Sequence, residues 1–480
     1  MRVLKNAVFL SLMQVSNVLL GLLVMPYVTG VLGSDRLGIS SFGLAASMYC
    51  AMLGQLGIHI YGIRRVAQSR SDGETLQQAF SECLAYQAFF SAIALVIYNA
   101  WALAQSDGNV GYYVLFNLTV LGYASDISWL FGGLERYDIV AVRTFLMRSA
   151  GALLVFVFVR SAEDLGAYIL VQQGTLLASN LFFWLGLRRY GLRPRMAAVW
   201  ASVKSIVKQS FWLFLPSFFA IITTSVDKLL LGYLTSKREV ALYDYPMRLF
   251  KVGSTIVGVA GNVMLPRLAS FLDAGKIRVY HKELYELSHF GMLLGMLIAG
   301  GMIVTANEVC GFLLGDSFMG ADGVLRIAVV PLTVSGMGIY FAALATGKER
   351  EVVAGIATAC IVSVVGYLLL IPRYGARGAA LAYAAPEFLV QCYYVWLMRK
   401  HLMWKRLGNH IISSSLLLLA AVAIALQVGW GGSLVSFLLK GSLFVCVFLG
   451  GVMAVQSYTR KFVVNTVRRG AMALKKKGGH

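Results

Sequence analysis

Charge is what this 480-residue chain has least of: only 13% of its residues are charged and 58% are hydrophobic. A soluble domain carries about 25% charged residues, so the composition excludes that class and implies a polytopic membrane protein. Proline is scarce as well, with eight residues against 49 glycines. That balance suits membrane helices, where glycine lets backbones approach closely. The six cysteines (Cys50, Cys83, Cys310, Cys360, Cys392 and Cys446) are scattered through apolar stretches with no Cys-x-x-Cys among them. Neither a metal centre nor a disulfide framework is indicated, and buried inert thiols are expected. Catalytic signatures are also missing: no Gly-x-Ser-x-Gly, no Walker A loop, no Gly-x-Gly-x-x-Gly opening a Rossmann unit and no His-Glu-x-x-His. Any transport is then secondary or facilitated, unless a partner subunit supplies an ATPase. Connections stay under about 25 residues, too short for a soluble catalytic domain.

What the chain has instead is long apolar runs. Read against a bilayer that needs about 20 residues per helix, they predict an all-α polytopic protein of 14 spans: 8–31, 39–60, 83–105, 111–134, 142–160, 166–187, 210–234, 241–268, 289–312, 324–347, 352–371, 376–398, 411–428 and 434–456. Twelve spans result if a weak pair is mis-split. The net charge of +20 would suggest nucleic acid in a soluble protein. Here lysine and arginine gather in the N-terminus, the even-numbered loops and the C-terminal tail, so the positive-inside rule puts both termini in the cytoplasm. Arg2 and Lys5 flank the first run and no small-residue cleavage site follows, which predicts a retained span, not a removed signal peptide.

The chain also echoes itself. Gly166-Ala167, Trp184-Leu185 and Arg188 recur as Gly378-Ala379, Trp396-Leu397 and Lys400, and LGSDRLGISSF at 32–42 recurs more loosely as LTSKREVALYDY at 234–245. A parallel repeat about an axis along the membrane normal follows. It predicts an N-lobe at 1–195 (spans 1–6), an amphipathic cytoplasmic linker at 196–209, and a C-lobe at 210–405 (spans 7–12). An appended helix pair at 406–456 (spans 13–14) and a basic tail at 457–480 complete the chain.

Charges inside apolar spans single out candidates for function, because each costs about 2.5–3.5 kcal/mol at mid-membrane and is expected to face protein or water. Asp244, Arg248, Lys251 and Thr255 step by four, three and four, which places them on one helical face. Arg248, Lys251 and Lys228 are candidates for binding an anionic group, since guanidinium forks match phosphate oxygens. The plainer reading is internal neutralisation, with Asp244 one turn from Arg248. Asp227 and Lys228 are sequence neighbours about 100° apart and are not expected to pair. Asp126, Asp244, Asp227 and Glu387 are candidates for charge balance or for proton or sodium coupling. Gln14 and Asn17, with Gly21, form a polar and small stripe suited to interhelical packing or to lining a cavity with Thr255. Glu308 lies near an outer end, Arg326 and Lys440 are expected to snorkel to the interface, and His59 reads as an interfacial histidine. No metal site and no cofactor is predicted.

At this point the sequence becomes familiar. MPYVTGVLGSDRLGISSFGLAASMYCAMLGQLGIHIYGIRRVAQSR resembles the N-terminal signature of polysaccharide-repeat-unit (O-antigen, capsule or exopolysaccharide, Wzx-type) flippases of the multidrug/oligosaccharidyl-lipid/polysaccharide exporter superfamily. SVDKLLLGYLTSKREVALYDY, VMLPRLASF and IPRYGARGAALAYAAPE resemble later segments of that family, in order along the chain. The resemblance implies two six-helix lobes around a central cavity, plus two helices, in the bacterial inner membrane. It also implies a transporter, not an enzyme, that moves an undecaprenyl-pyrophosphate-linked oligosaccharide from the cytoplasmic to the outer leaflet by alternating access. Membrane lipids, a polysaccharide polymerase and its assembly machinery are the implied partners, with no nucleic acid. One departure stands out: Gly30 occupies a position in PYVTG where the family often has arginine, so the basic face around Arg248 carries more of the hypothesis. The rivals are a lipid II flippase, a multidrug or cation antiporter of the same superfamily, and a membrane-embedded polymerase or glycosyltransferase.

Overall fold

A computed structural model describes residues 2–193, 206–207, 225–428 and 434–461, and every element in it is helical. The linker expected at 196–209, apart from residues 206–207, most of the seventh expected span, and the tail beyond residue 461 lie outside the described residues. Nine described helices are long and apolar enough to cross a membrane, or ten if one bent pair counts as a span. The protein is therefore an all-α polytopic membrane protein.

The first compact unit holds residues 1–244 with two short excursions, Leu313–Phe318 and Tyr367–Ala379. It begins with α1 (Arg2–Gln55), whose helical geometry is interrupted at Gly33 (φ 70°, ψ 173°). At about 1.5 Å per residue a straight helix of this length would far exceed a bilayer of about 30 Å, and the break divides it where the expected spans one and two meet. Then come α2 (Ile58–Ser69), α3 (Gly73–Leu103), α4 (Val110–Leu115), α5 (Asn117–Ala124), α6 (Ser128–Gly133), α7 (Tyr137–Phe158), α8 (Leu165–Gly186) and α9 (225–234). Asp72 starts α3 by accepting from the Glu74 and Thr75 backbone N–H groups, ten residues before the apolar run, because a polar first turn needs no lipid contact.

Span four, expected as one helix over 111–134, is three short ones. The interruption between α5 and α6 frees carbonyls inside the membrane, which must find donors. The fully buried Gln87 of α3 points its amide nitrogen at the carbonyls of Tyr123, Ala124 and Asp126 (3.0, 3.1 and 2.9 Å) and accepts from the Trp129 indole at 2.9 Å. From α8, Asn180 donates to the Gly122 carbonyl and Trp184 to that of Ser125. Around this stitched break Ile58, Phe80, Trp129, Phe131 and Phe183 form a buried core.

The second unit takes residues 245–312, 319–366 and 380–480. Its helices are most of α10 (Lys237–Asp273), α11 (Ile277–Val304), α12 (Ala306–Leu314), α13 (Ala321–Ala328), α14 (Leu332–Ser335), α15 (Ile339–Ala345), the outer parts of α16 (Glu349–Leu397), α17 (Trp404–Leu426) and α18 (Leu434–Val455). The expected span 324–347 is bent by 43° between α14 and α15, where Gly338 adopts positive φ. The 49 residues of α16 fold back at Gly375 (φ 55°, ψ −132°). Gly366 packs on Ala382, Gly378 lies against the Leu370 carbonyl, and the Tyr394 hydroxyl donates to the Val352 carbonyl at 3.0 Å. These pairings make an antiparallel hairpin at the place where spans eleven and twelve were expected. Gly166-Ala167 and Gly378-Ala379, equated by the repeat, both fall at the start of a helix run, and Trp184 and Trp396 both fall near its end.

Candidate functional site

Helix α10 carries the basic face. Its lysine and arginine positions interrupt an otherwise apolar helix. Arg248 is half-buried with its guanidinium carbon 4.5 Å from the centre of the Tyr245 ring, a cation–π distance. Lys251, one turn on, is exposed, and the ion pairs among the described residues do not include it. Thr255 is half-buried and spends its hydroxyl on the Lys251 carbonyl at 2.8 Å.

Lys228 stands differently. Its ammonium lies 2.7 Å from the Asp244 carboxylate, whose side chain is only 4% exposed. The second Asp244 oxygen accepts from the Ser41 hydroxyl at 2.9 Å. Asp227 is buried and accepts from the Lys228 backbone N–H, so the two sequence neighbours do diverge. Three elements, α1, α9 and α10, thus converge on one carboxylate.

The other acids are scattered. Asp126 is half-buried at the break in span four, and its side chain accepts from the Ser128 backbone N–H at 2.8 Å, capping α6. Glu387 is half-buried on α16 and accepts from Gln391 one turn later at 2.9 Å. Among the described residues no group of three or more His, Cys, Asp or Glu is placed to hold a metal ion. The side chains of Gln14 and Asn17 lie outside the described residues.

Lys440 does not snorkel. Its ammonium is 2.6 Å from the Glu308 carboxylate, which also accepts from Ser436 at 3.0 Å, and the two side chains are 15% and 4% exposed. The expectation fails because α12 brings an acid within reach, a lower-energy end for an intramembrane ammonium than stretching to water. Arg326, 41% exposed, lies 3.5 Å from Asp322 one turn away.

Arg143, which the spacing argument does not single out, is the most enclosed cation among the described residues of the first unit. It is 9% exposed and donates to the Ser179 carbonyl (2.7 Å), the Asn180 amide oxygen (2.8 Å) and the Thr144 hydroxyl (3.2 Å). Its guanidinium carbon is 3.9 Å from the centre of the Phe183 ring. The signal was available, since Arg143 and Arg148 both fall inside the expected span 142–160.

Basic groups inside an apolar helical bundle are suited to meet an anionic group. The family described as polysaccharide biosynthesis protein matches residues 3–272, over half of the chain. A protein of Shigella dysenteriae described as an O-antigen transporter is 21% identical over 393 residues, covering 80% of this chain and 97% of that protein. Its counterpart in Escherichia coli K12 is 20% identical over 405 residues, covering 83% and 97%. Among solved structures, the lipid II flippase MurJ in an inward closed conformation shares the fold with a TM-score of 0.73 at 12% identity, covering 95% of this chain and all of that one. An inward-facing multidrug exporter of the MATE family gives 0.57 at 16% identity, covering 82% and 98%. The chain therefore belongs to the polysaccharide biosynthesis protein family, and its described helices make it a multi-pass membrane protein.

Proposed function

We propose that this protein is a transporter that flips an undecaprenyl-pyrophosphate-linked oligosaccharide repeat unit from the cytoplasmic to the outer leaflet by alternating access. The architecture we assign to it is two six-helix lobes with an appended pair, 14 spans in all. The observation that carries the proposal is the contrast among the intramembrane cations. Lys228 and Lys440 each pair with a buried carboxylate, whereas Lys251 is exposed with no ion-pair partner among the described residues. A cation left unneutralised in an apolar helix costs about 2.5–3.5 kcal/mol, a cost that a pyrophosphate would offset by charge-assisted hydrogen bonds. Arg248 and Lys251 are assigned to the headgroup, with Thr255 beside them. Lys228 joins them only after leaving Asp244. The polyprenyl tail stays in the bilayer while the headgroup crosses. Asp126, Asp227, Asp244 and Glu387 are the acids through which proton or sodium coupling would act.

The resemblance in fold to the lipid II flippase supports a second reading, lipid II as cargo, which shares the pyrophosphate and differs in the sugar. Flipping of fluorescent polyprenyl-pyrophosphate saccharides in proteoliposomes, wild type against an Arg248→Ala, Lys251→Ala double variant, tests both. Wild-type flipping lost in a correctly inserted variant supports the assignment, and the preferred headgroup decides between the two lipids. Equal flipping by both proteins makes those cations structural. Export of a cationic dye with no lipid flipping establishes a drug antiporter instead.

A further inference from the structure

Two of the six histidines meet within the second unit, away from the basic face of α10. His281 lies near the start of α11, and His401 lies in the turn between α16 and α17. The distribution of basic residues assigns both connections to the cytoplasmic side. The two rings stand 6.0 Å apart between centroids at an interplanar angle of 20°, and both residues are half-buried. The fully buried Tyr280 sets its ring edge-on to each of them, at 5.5 and 6.0 Å, and so gives the pair a rigid wall.

Hydrogen bonding makes the pair more than packing. His281 Nδ1 is 2.7 Å from the His401 backbone carbonyl. A carbonyl only accepts, so Nδ1 carries the proton and Nε2 keeps its lone pair. Metal-binding histidines are held in this way, one ring N–H donated to a carbonyl or carboxylate and the other nitrogen turned to the ion. The ring nitrogens of His401 make no hydrogen bond with the described residues. Burial, then the Lys348 charge and His281, hold the His401 pKa below its usual value. At neutral pH its imidazole is therefore uncharged, the form that binds metal. With Zn–N bonds of about 2.0–2.1 Å, two imidazoles that share one ion span up to about 6.4 Å between centroids. The observed 6.0 Å is inside that limit, and closing it by about 1 Å gives the tetrahedral angle.

We propose that His281 and His401 are the two protein ligands of a site for a divalent transition ion that favours imidazole, zinc in the first instance, with water in the remaining positions. Such an ion ties the start of α11 to the α16–α17 turn. Lys348 opposes it. Its ammonium is held at 3.2 Å by the Leu397 carbonyl, near enough to His401 to disfavour positive charge there.

The test uses the untagged full-length protein in detergent, with the exposed Cys392 and Cys446 replaced by serine so that thiols do not compete. Zn2+ is titrated by calorimetry in a non-chelating buffer. Saturable uptake of one ion is expected, weakened at least about tenfold by His281→Gln and by His401→Gln, because even the loss of an outer-shell partner costs that much. Lys348→Gln is expected to tighten uptake, which a purely structural lysine would not do. Cu2+ in place of Zn2+ reads the unaltered pair directly: its EPR spectrum should show the splitting of two imidazole nitrogens, and His401→Gln should remove one. No saturable uptake, uptake that neither histidine variant changes, or a copper spectrum with fewer than two nitrogens overturns the proposal. Neither readout involves lipid flipping, so the metal site and the cargo assignment stand or fall separately.

Discussion

Lys440→Met is the sharpest test of how α18 is held against α12. At 2.6 Å and an effective dielectric of about 20, the gross attraction between Lys440 and Glu308 is about 6 kcal/mol, most of it repaid as desolvation. Removing one partner is another matter, because it strands the other charge. Glu308 is 4% exposed and keeps the Ser436 hydroxyl but loses its cation, so the single variant is expected to lose about 3–5 kcal/mol. At about 2.1 cal/mol/K per residue, 480 residues give an unfolding entropy of about 1 kcal/mol/K, which converts the loss to about 3–5 °C in Tm. The double variant Glu308→Gln, Lys440→Met strands no charge and is expected within about 1 °C of wild type, since a neutral replacement of a buried pair is often nearly neutral. The assay is thermal unfolding in one detergent for wild type, both single variants and the double. A Lys440→Met shift below 1 °C, or a double variant that costs the sum of the singles, would refute the buried pair and return Lys440 to the interface.

Two further outcomes follow from the turns. Gly375→Ala places a side chain at φ 55°, ψ −132° and 2.5 Å from the Glu239 carboxylate, so it is expected to cost at least about 1–3 kcal/mol, read as a fall in Tm by the same scan. Asp107 sets the pH response of its contact with Lys237. Burial alone would raise its pKa, but the Tyr113 hydroxyl, the Asn109 backbone and the Lys237 charge outweigh it and hold the carboxyl below its usual range. A depressed folded value means that the contact is complete above the ordinary carboxylate pKa of about 3.9 and is lost only as pH falls through the lower folded value. The Tm contribution of this contact, read as the difference between wild type and Asp107→Asn, should therefore stay flat from pH 8 to pH 5, and a change within that window would assign it to another group.

How far the sequence reaches is clearest at individual residues. Membrane class and most helix positions were legible because hydrophobic run length answers to one physical scale, bilayer thickness. The reversal near Gly375 was legible as a gap between two runs. The interruption of span four was not, since its apolar run is continuous and Gln87, Asn180 and Trp184, the side chains that make the break tolerable, come from other helices. The same holds for charges. The helical face of Arg248 and Lys251 follows from spacing alone. The partners of Lys228 and Lys440 lie 16 and 132 residues away, beyond any single-helix periodicity. Arg143 has no charged residue three or four positions away, so helical spacing does not mark it, although an intramembrane arginine is costly in itself.

The hairpin of α16 bears on how the protein enters its membrane in the first place. Its turn carries Arg373 and Arg377, charges that resist crossing to the outer side. The opposite ends of the two helices carry Lys348 and Arg350 on one and Arg399 and Lys400 on the other, four charges against two. Because the helices are zipped through Gly366 and Ala382, they can enter the translocon as one folded unit, with the four anchoring charges outvoting the two that must pass. Deleting Arg399 and Lys400 would then threaten topogenesis of the whole hairpin, not merely the placement of its last turn.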